Sequence, residues 1–218
     1  MRLKSFIIYF VSVSILLACG TENKTAVTNY NQNVSLDLDS NNSAVDTLKE
    51  QTMFKVTDDS LSVLKWTGST FIKSHFGTVN FEGALGIFEG KLVSGDLTFD
   101  MNTINTEDLN GGKKQKLDNH LKGEDFFDVE KFSKAYLKIK KYDGKNITGD
   151  LTIKEVTKEI SFPAVLDITQ NSITGKADFT INRTEYGIIY SSGNFFDLAK
   201  DRIISDDIEF NVSIKAIK

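Results

Sequence analysis

The chain has 218 residues, with 26 Lys and Arg against 30 Asp and Glu, a formal net charge of −4, one cysteine, one proline and two histidines. With only His75 and His120, a His-rich metal cluster is excluded, and a His-Asp-Ser triad would have to use one of the two. The mild acidity excludes the phosphate-neutralising stripe of a nucleic-acid binder, and the densest basic cluster, Lys113, Lys114 and Lys116, reads as a solvated face.

The chain opens on a secretion-signal pattern: Arg2 and Lys4 precede an apolar run over residues 6–17. That run is too short to span a bilayer, which takes about 20 apolar residues. Leu16-Leu17-Ala18-Cys19 closes it and resembles a bacterial lipobox, in which the thiol is acylated and the chain is cut just before it. Residues 1–18 are therefore expected to be a lipoprotein signal peptide and Cys19 the lipidation site, with the acyl chains as a membrane anchor. Once Cys19 is acylated, no thiol remains for a disulfide, for thiol catalysis or for a cysteine metal site. Residues 19–50 are dominated by Asn, Thr, Ser and Asp without a persistent period, which reads as a disordered tether. Residues 51–218 are the size of one domain with a substantial core.

Within that domain, apolar residues recur at period two. The series are Val93, Gly95, Leu97 and Phe99; Ala135, Leu137 and Ile139; Ile147, Gly149, Leu151 and Ile153; Ile160, Phe162, Ala164, Leu166 and Ile168; Ile173, Gly175, Ala177, Phe179 and Ile181; and Ile208, Phe210, Val212, Ile214 and Ala216. Each describes a strand with one dry and one wet face. Turn signals separate them at Glu89-Gly90-Lys91, Asp143-Gly144-Lys145-Asn146 and Gln170-Asn171-Ser172. Residues 106–127 break the alternation, and with Leu109, Leu117, Leu121 and Phe126 as sparse apolar contacts they predict one or two short helices. Many consecutive one-faced antiparallel strands have two solutions, a sandwich or a closed barrel. Long strands and small residues on the apolar faces (Gly95, Gly149, Gly175, Ala177) favour an all-β, extended antiparallel barrel of about eight strands, which can hold one elongated ligand. A barrel filled by its own side chains satisfies the same periodicity.

Four islands, in order, carry a family resemblance. They are Asp118-Asn119-His120-Leu121 followed by Asp125-Phe126-Phe127-Asp128-Val129; Gly149-Asp150-Leu151-Thr152-Ile153-Lys154-Glu155-Val156-Thr157-Lys158; Ile181-Asn182-Arg183-Thr184-Glu185-Tyr186-Gly187-Ile188; and Ile204-Ser205-Asp206-Asp207-Ile208. Together they resemble the YceI-like family of lipid-binding proteins over residues 61–217, in a lipoprotein branch. Three departures stand out: the opening, Trp66-Thr67-Gly68 with His75-Phe76-Gly77-Thr78, differs from the family's commoner start and looks like the lipoprotein branch; Glu155 replaces the usual glycine of the Val-Thr-Lys turn; and Leu117 stands before Asp118 where many members carry an arginine. The resemblance implies a lipocalin-like barrel with an apolar tunnel and a bound polyisoprenoid, either a quinone or a polyprenyl phosphate. It implies carriage or storage without covalent chemistry, metal or cofactor.

The tunnel candidates are Phe99, Leu137, Ile139, Leu151, Phe162, Phe179, Phe210 and Val212. Burial of tail methylenes, about 0.8 kcal/mol per CH₂, needs no precise polar constellation. Arg183, one of two arginines in the mature chain, calls for a bidentate partner such as Asp118 or Asp207, or else a lipid headgroup at the mouth. His120 is expected to pin the helical segment by a hydrogen bond or to meet a headgroup or quinone carbonyl. Phe126 and Phe127 read as a staple or a gate, Trp66 as core, and His75 as a turn residue. The resulting expectation is a lipid-anchored carrier on the periplasmic side of a Gram-negative envelope. The outer membrane is favoured because Gly20 stands where inner-membrane lipoproteins carry aspartate. A homodimer through an edge strand is left open. The rival readings are a self-filled barrel acting through its surface, and an enzyme using His120 with Asp118 as base pair.

Overall fold

The computed structural model describes residues 50–57 and 60–218. The signal pattern, Cys19 and the tether up to residue 49 lie outside the described residues. In chain order the strands are β1 (Thr52–Val56), β2 (Val63–Thr70), β3 (Ser74–Phe88), β4 (Lys91–Thr106), β5 (Lys134–Tyr142), β6 (Asn146–Ile153), β7 (Val156–Ile168), β8 (Ser172–Asn182) and β9 (Ile204–Ile217). One α-helix, α1 (Gly111–Lys122), lies between β4 and β5, and a 3-10 turn at Arg183–Tyr186 follows β8.

Every neighbour pair is antiparallel, from β2–β3 round to β8–β9, and β2 pairs β9 to close the ring. β1 and β2 occupy one place in the wall: along β3, Lys55 faces Ala84 and Leu64 faces Val79. Both also pair with β9. The result is a closed barrel of eight strand positions. The β7–β8 ladder covers only Ala164–Ile168 against Ile173–Ala177, and the two strands run unlaced to each other beyond it.

Period two explains the inside. Ala135, Leu137 and Ile139 of β5, Ile147, Leu151 and Ile153 of β6, and Ile173, Ala177 and Ile181 of β8 are buried, while the residues between them are more exposed. The expected series in β4 is off by one at its start. Leu92, not Val93, is the buried residue, because the register shifts between Gly86–Ser94 and Ile87–Leu92 and leaves Val93 as the extra residue of a bulge. β4 also runs on to Thr106, well past Phe99. Its far half carries a larger irregularity: Thr78 faces Asn105 but Asn80 faces Asp100. Thr103 Oγ1 donates to the Asp100 carbonyl at 2.6 Å and accepts from Asn80 N–H at 2.9 Å, which stabilises the excursion and turns Met101 and Ile104 inward.

The turns follow from local chemistry. Glu89-Gly90 and Lys154-Glu155 have both central residues at positive φ (48° and 74°; 49° and 64°), the type I′ geometry that matches strand twist. At the β5–β6 turn, Asp143 Oδ1 accepts the N–H groups of Lys145 and Asn146 at 2.9 and 2.6 Å. The helical segment is a single helix, which Asp118 and Lys114 moor to the end of β4. Asp118 Oδ1 accepts the Thr106 N–H at 2.8 Å, and Lys114 Nζ donates to the Thr106 carbonyl at 2.7 Å and to Asp118 Oδ2 at 2.8 Å.

Candidate functional site

The small residues on the dry faces do not leave the clearance that a tunnel would need. A Cβ at Gly95 would meet Leu85 and Ile139 side chains, and one at Gly175 would meet Leu166 and Ile214. Neighbouring side chains therefore fill the room the glycines free. Two apolar cavities lie inside the barrel among the described residues. The first holds about 110 Å³ and lies at the α1 end, walled by Trp66, Met101, Ile104, Leu121, Phe126, Phe127 and Leu151 among others, with Arg183 and Ser205 as polar members. The second holds about 60 Å³ toward the other end, walled by Leu85, Leu92, Ile139, Ile147, Phe162 and Val212 among others. Leu64, Phe99, Leu137 and Phe179 belong to both walls.

The expected tunnel residues are distributed accordingly. Leu151 and Phe210 line the first cavity; Ile139, Phe162 and Val212 line the second; Phe99, Leu137 and Phe179 line both. The aromatic ones form a row across three neighbouring strands. Phe162 on β7 stacks on Phe179 of β8 with centroids 4.3 Å apart, and Phe179 stacks on Phe210 of β9 at 5.3 Å. Phe81 and Phe99 pack at 5.7 Å on the other side. Trp66 belongs to the buried core, as the sequence indicates, and also walls the first cavity. Its Nε1–H donates to the Thr78 carbonyl at 3.3 Å, and the alternation of Leu64, Trp66 and Gly68 was there to be read. Met101 and Ile104 had no such signal, because the bulge breaks their period.

Arg183 lines the first cavity but is not partnered as expected. Neither Asp118 nor Asp207 reaches it. Its Nε donates to the Ser205 carbonyl at 2.9 Å, one terminal nitrogen to the Ile188 carbonyl at 2.6 Å, and the other to the Ile204 carbonyl at 3.1 Å and to Asp206 Oδ1 at 3.3 Å. The guanidinium also sits over the Phe126 ring at 5.7 Å. The side chain is only 1% exposed, and burial pulls its pKa down while Asp206 opposes that. The arginine therefore knots the β8–β9 connection to the start of β9. Beside it Tyr186 is buried and its hydroxyl is pushed up to about 12, first by burial and then by Glu185.

His120 does not line either cavity, and its contacts are aromatic instead of the expected hydrogen bond. It meets Phe126 edge-on at 5.1 Å and Tyr190 at 4.8 Å. It does pin the segment, through rings. Phe126 is the hub of this staple: it is 5% exposed, packs against Phe127 and Tyr190, and its carbonyl accepts from Lys154 Nζ at 2.9 Å. The imagined base pair is not assembled, since the Asp118 carboxylate is engaged by Thr106 and Lys114. His75 Nδ1 lies 2.7 Å from Asp108 Oδ2, a pair at the β3 start. Among the described residues, no group of three or more His, Cys, Asp or Glu side chains is placed to hold a metal ion.

The sequence that forms this barrel, its moored helix and its apolar interior matches a known family model, that of the YceI-like domain, over residues 36–216. The chain belongs to the YceI-like family. The match starts ahead of the first strand, earlier than the four islands alone indicate. Among curated proteins, UPF0312 proteins of Staphylococcus aureus are 33% identical over 112 residues, 46% of this chain and 65% of theirs. The chain thus spans just under two thirds of the length of those relatives. Among solved structures, BcnA of Burkholderia cenocepacia shares the fold at TM-score 0.57 and 18% identity, over 71% of this chain and 96% of that one. A polyisoprenoid-binding domain of Saccharophagus degradans, implicated in plant cell wall breakdown, aligns at TM-score 0.57 and 14% identity, over 75% and 97%. The Campylobacter jejuni YceI protein aligns at TM-score 0.50 and 25% identity, over 64% and 81%.

Proposed function

We propose that the protein binds an isoprenoid-type lipid, a quinone or a polyprenyl phosphate, by its tail inside the barrel, and carries or stores it at the bacterial envelope without chemical change. The observation that carries the reading is the apolar cavity at the α1 end, whose wall is hydrocarbon except for Arg183 and Ser205. Such a site rewards every methylene it hides and offers a tail nothing to react with. The polyisoprenoid-binding domain of Saccharophagus degradans shares the fold, which supports the ligand class. The lipobox-like Cys19 supports an anchored position on the periplasmic side, with the outer membrane favoured.

A second reading, a self-filled barrel acting through its surface, draws on the modest free volumes of about 110 and 60 Å³. Native mass spectrometry of the Cys19→Ser chain, followed by solvent extraction, separates the two. A co-purifying adduct with an isoprenoid fragmentation series is the expected result. A mass that stays clean after incubation with quinones and polyprenyl phosphates would leave the surface reading standing.

A further inference from the structure

We infer that Phe179 sets the length of tail that the barrel admits, as a movable septum between its two cavities. This rests on the isoprenoid-binding reading. A dry cavity of about 150 Å³ admits one benzene ring, so the first cavity, at about 110 Å³, has room for about one isoprene unit. A longer tail has to reach the second cavity, past the shared wall of Leu64, Phe99, Leu137 and Phe179.

Three of those four stand in parts of the wall that are laced on both sides. Leu64 lies between β3 and β9, Phe99 between β3 and β5, and Leu137 between β4 and β6, each inside a paired register. Phe179 differs. It pairs with Phe210 on β9, but the β7–β8 ladder ends at Ala164–Ala177, just short of it. Beyond that point β7 back to Val156 is laced to β6 and β8 on to Asn182 is laced to β9. The Phe162–Phe179 stack, at 4.3 Å, closes the interval where the ladder stops. The wall beside Phe179 can therefore part without breaking a ladder hydrogen bond. A tail leaving through the α1 end would have to undo the Arg183 knot and the Phe126 staple instead.

The test titrates the Cys19→Ser chain with prenol, geraniol, farnesol and geranylgeraniol, which add one isoprene unit at each step, and follows the fluorescence of Trp66, the sole tryptophan and a wall of the first cavity. In the parent chain the gain in affinity per unit shrinks after the shortest alcohols. Phe179→Ala, which also takes a wall from the first cavity, raises the affinity of geranylgeraniol relative to that of prenol by about tenfold or more, since each further buried methylene is worth roughly fourfold. Phe179→Leu, which keeps more of the packing, shows the same trend at smaller amplitude. Equal changes for all four alcohols, or an unchanged profile in both variants, would overturn the septum. Failure of the parent chain to bind any of the four saturably would overturn the isoprenoid reading itself.

Discussion

Arg183 is the place where a single substitution should be felt most. Its guanidinium is buried and supplies four hydrogen bonds, three of them to main-chain carbonyls of Ile188, Ile204 and Ser205. Replacing it with methionine keeps the apolar stem and strands those carbonyls. An unsatisfied buried polar group costs about 1–3 kcal/mol. Asp206 is spared that cost, because its other oxygen already accepts from Asn194 Nδ2 at 2.7 Å and its side chain is partly open to water. Three stranded carbonyls sum to about 3–9 kcal/mol, and with some rescue by water Arg183→Met should cost about 3–5 kcal/mol, the low end of that sum. Arg183→Lys should cost about 2–4 kcal/mol, since a compact ammonium cannot reproduce the planar fork. For a domain of 150–250 residues each kcal/mol lowers Tm by about 2–4 °C, so the methionine variant should melt roughly 6–20 °C below the parent. Urea unfolding followed by circular dichroism measures it, with the m-value as a check on two-state behaviour. A methionine variant within about 1 kcal/mol of the parent at unchanged m would refute the knot.

Three further outcomes are expected. Glu155→Gly should stabilise by about 0.5–1 kcal/mol, because φ of 64° places a side-chain residue where the type I′ turn prefers glycine; chemical denaturation of the pair of proteins decides it. Gly77→Ala should cost about 1–3 kcal/mol, because the new methyl runs into the Asn105 carbonyl oxygen and lies 2.7 Å from the Trp66 ring; a Tm equal to the parent's would count against the close β3–β4 approach. Asp118 loses some ionisation to burial, but hydrogen bonds from Lys114 and Thr106 outweigh that and hold its pKa below the ordinary 3.8. Its contribution is therefore complete above pH 3.8 and disappears as pH falls through the lower folded value, so the acid limb of a stability–pH profile should be shallower in Asp118→Asn than in the parent.

How much of this was legible in the chain depends on the range over which each feature is specified. Alternation is local, so β5 to β9 could be read directly, and the turn at Asp143 carried its own hydrogen-bonding chemistry. The first three strands were harder. In β3 the inward positions include Gly77 beside Val79, Phe81 and Leu85, so the apolar signal is diluted where the backbones approach most closely. Bulges defeat the same reading from another direction. Period two has no memory of an extra residue, so it places Val93 inside and gives no sign of Met101 and Ile104. Closure is less local still, since it rests on β2 meeting β9, about 140 residues apart along the chain.

The site is the least local feature, which is why its composition was readable and its shape was not. Periodicity says that Phe99, Leu137, Phe179 and Phe210 face inward, but whether they enclose space depends on how rings from opposite walls meet. Phe179 stacks on Phe162 and Phe210, and with Leu64, Phe99 and Leu137 it divides one interior into two. A strand pattern cannot report such a coincidence, because it joins residues from β2, β4, β5, β7, β8 and β9 at one height of the barrel. The same holds for Arg183: its rarity marked it as a residue with partners, but three of the four are main-chain carbonyls, which carry no sequence signature at all. A buried arginine in such a connection is better sought among the carbonyls of the loop it ties than among the nearest carboxylates in sequence.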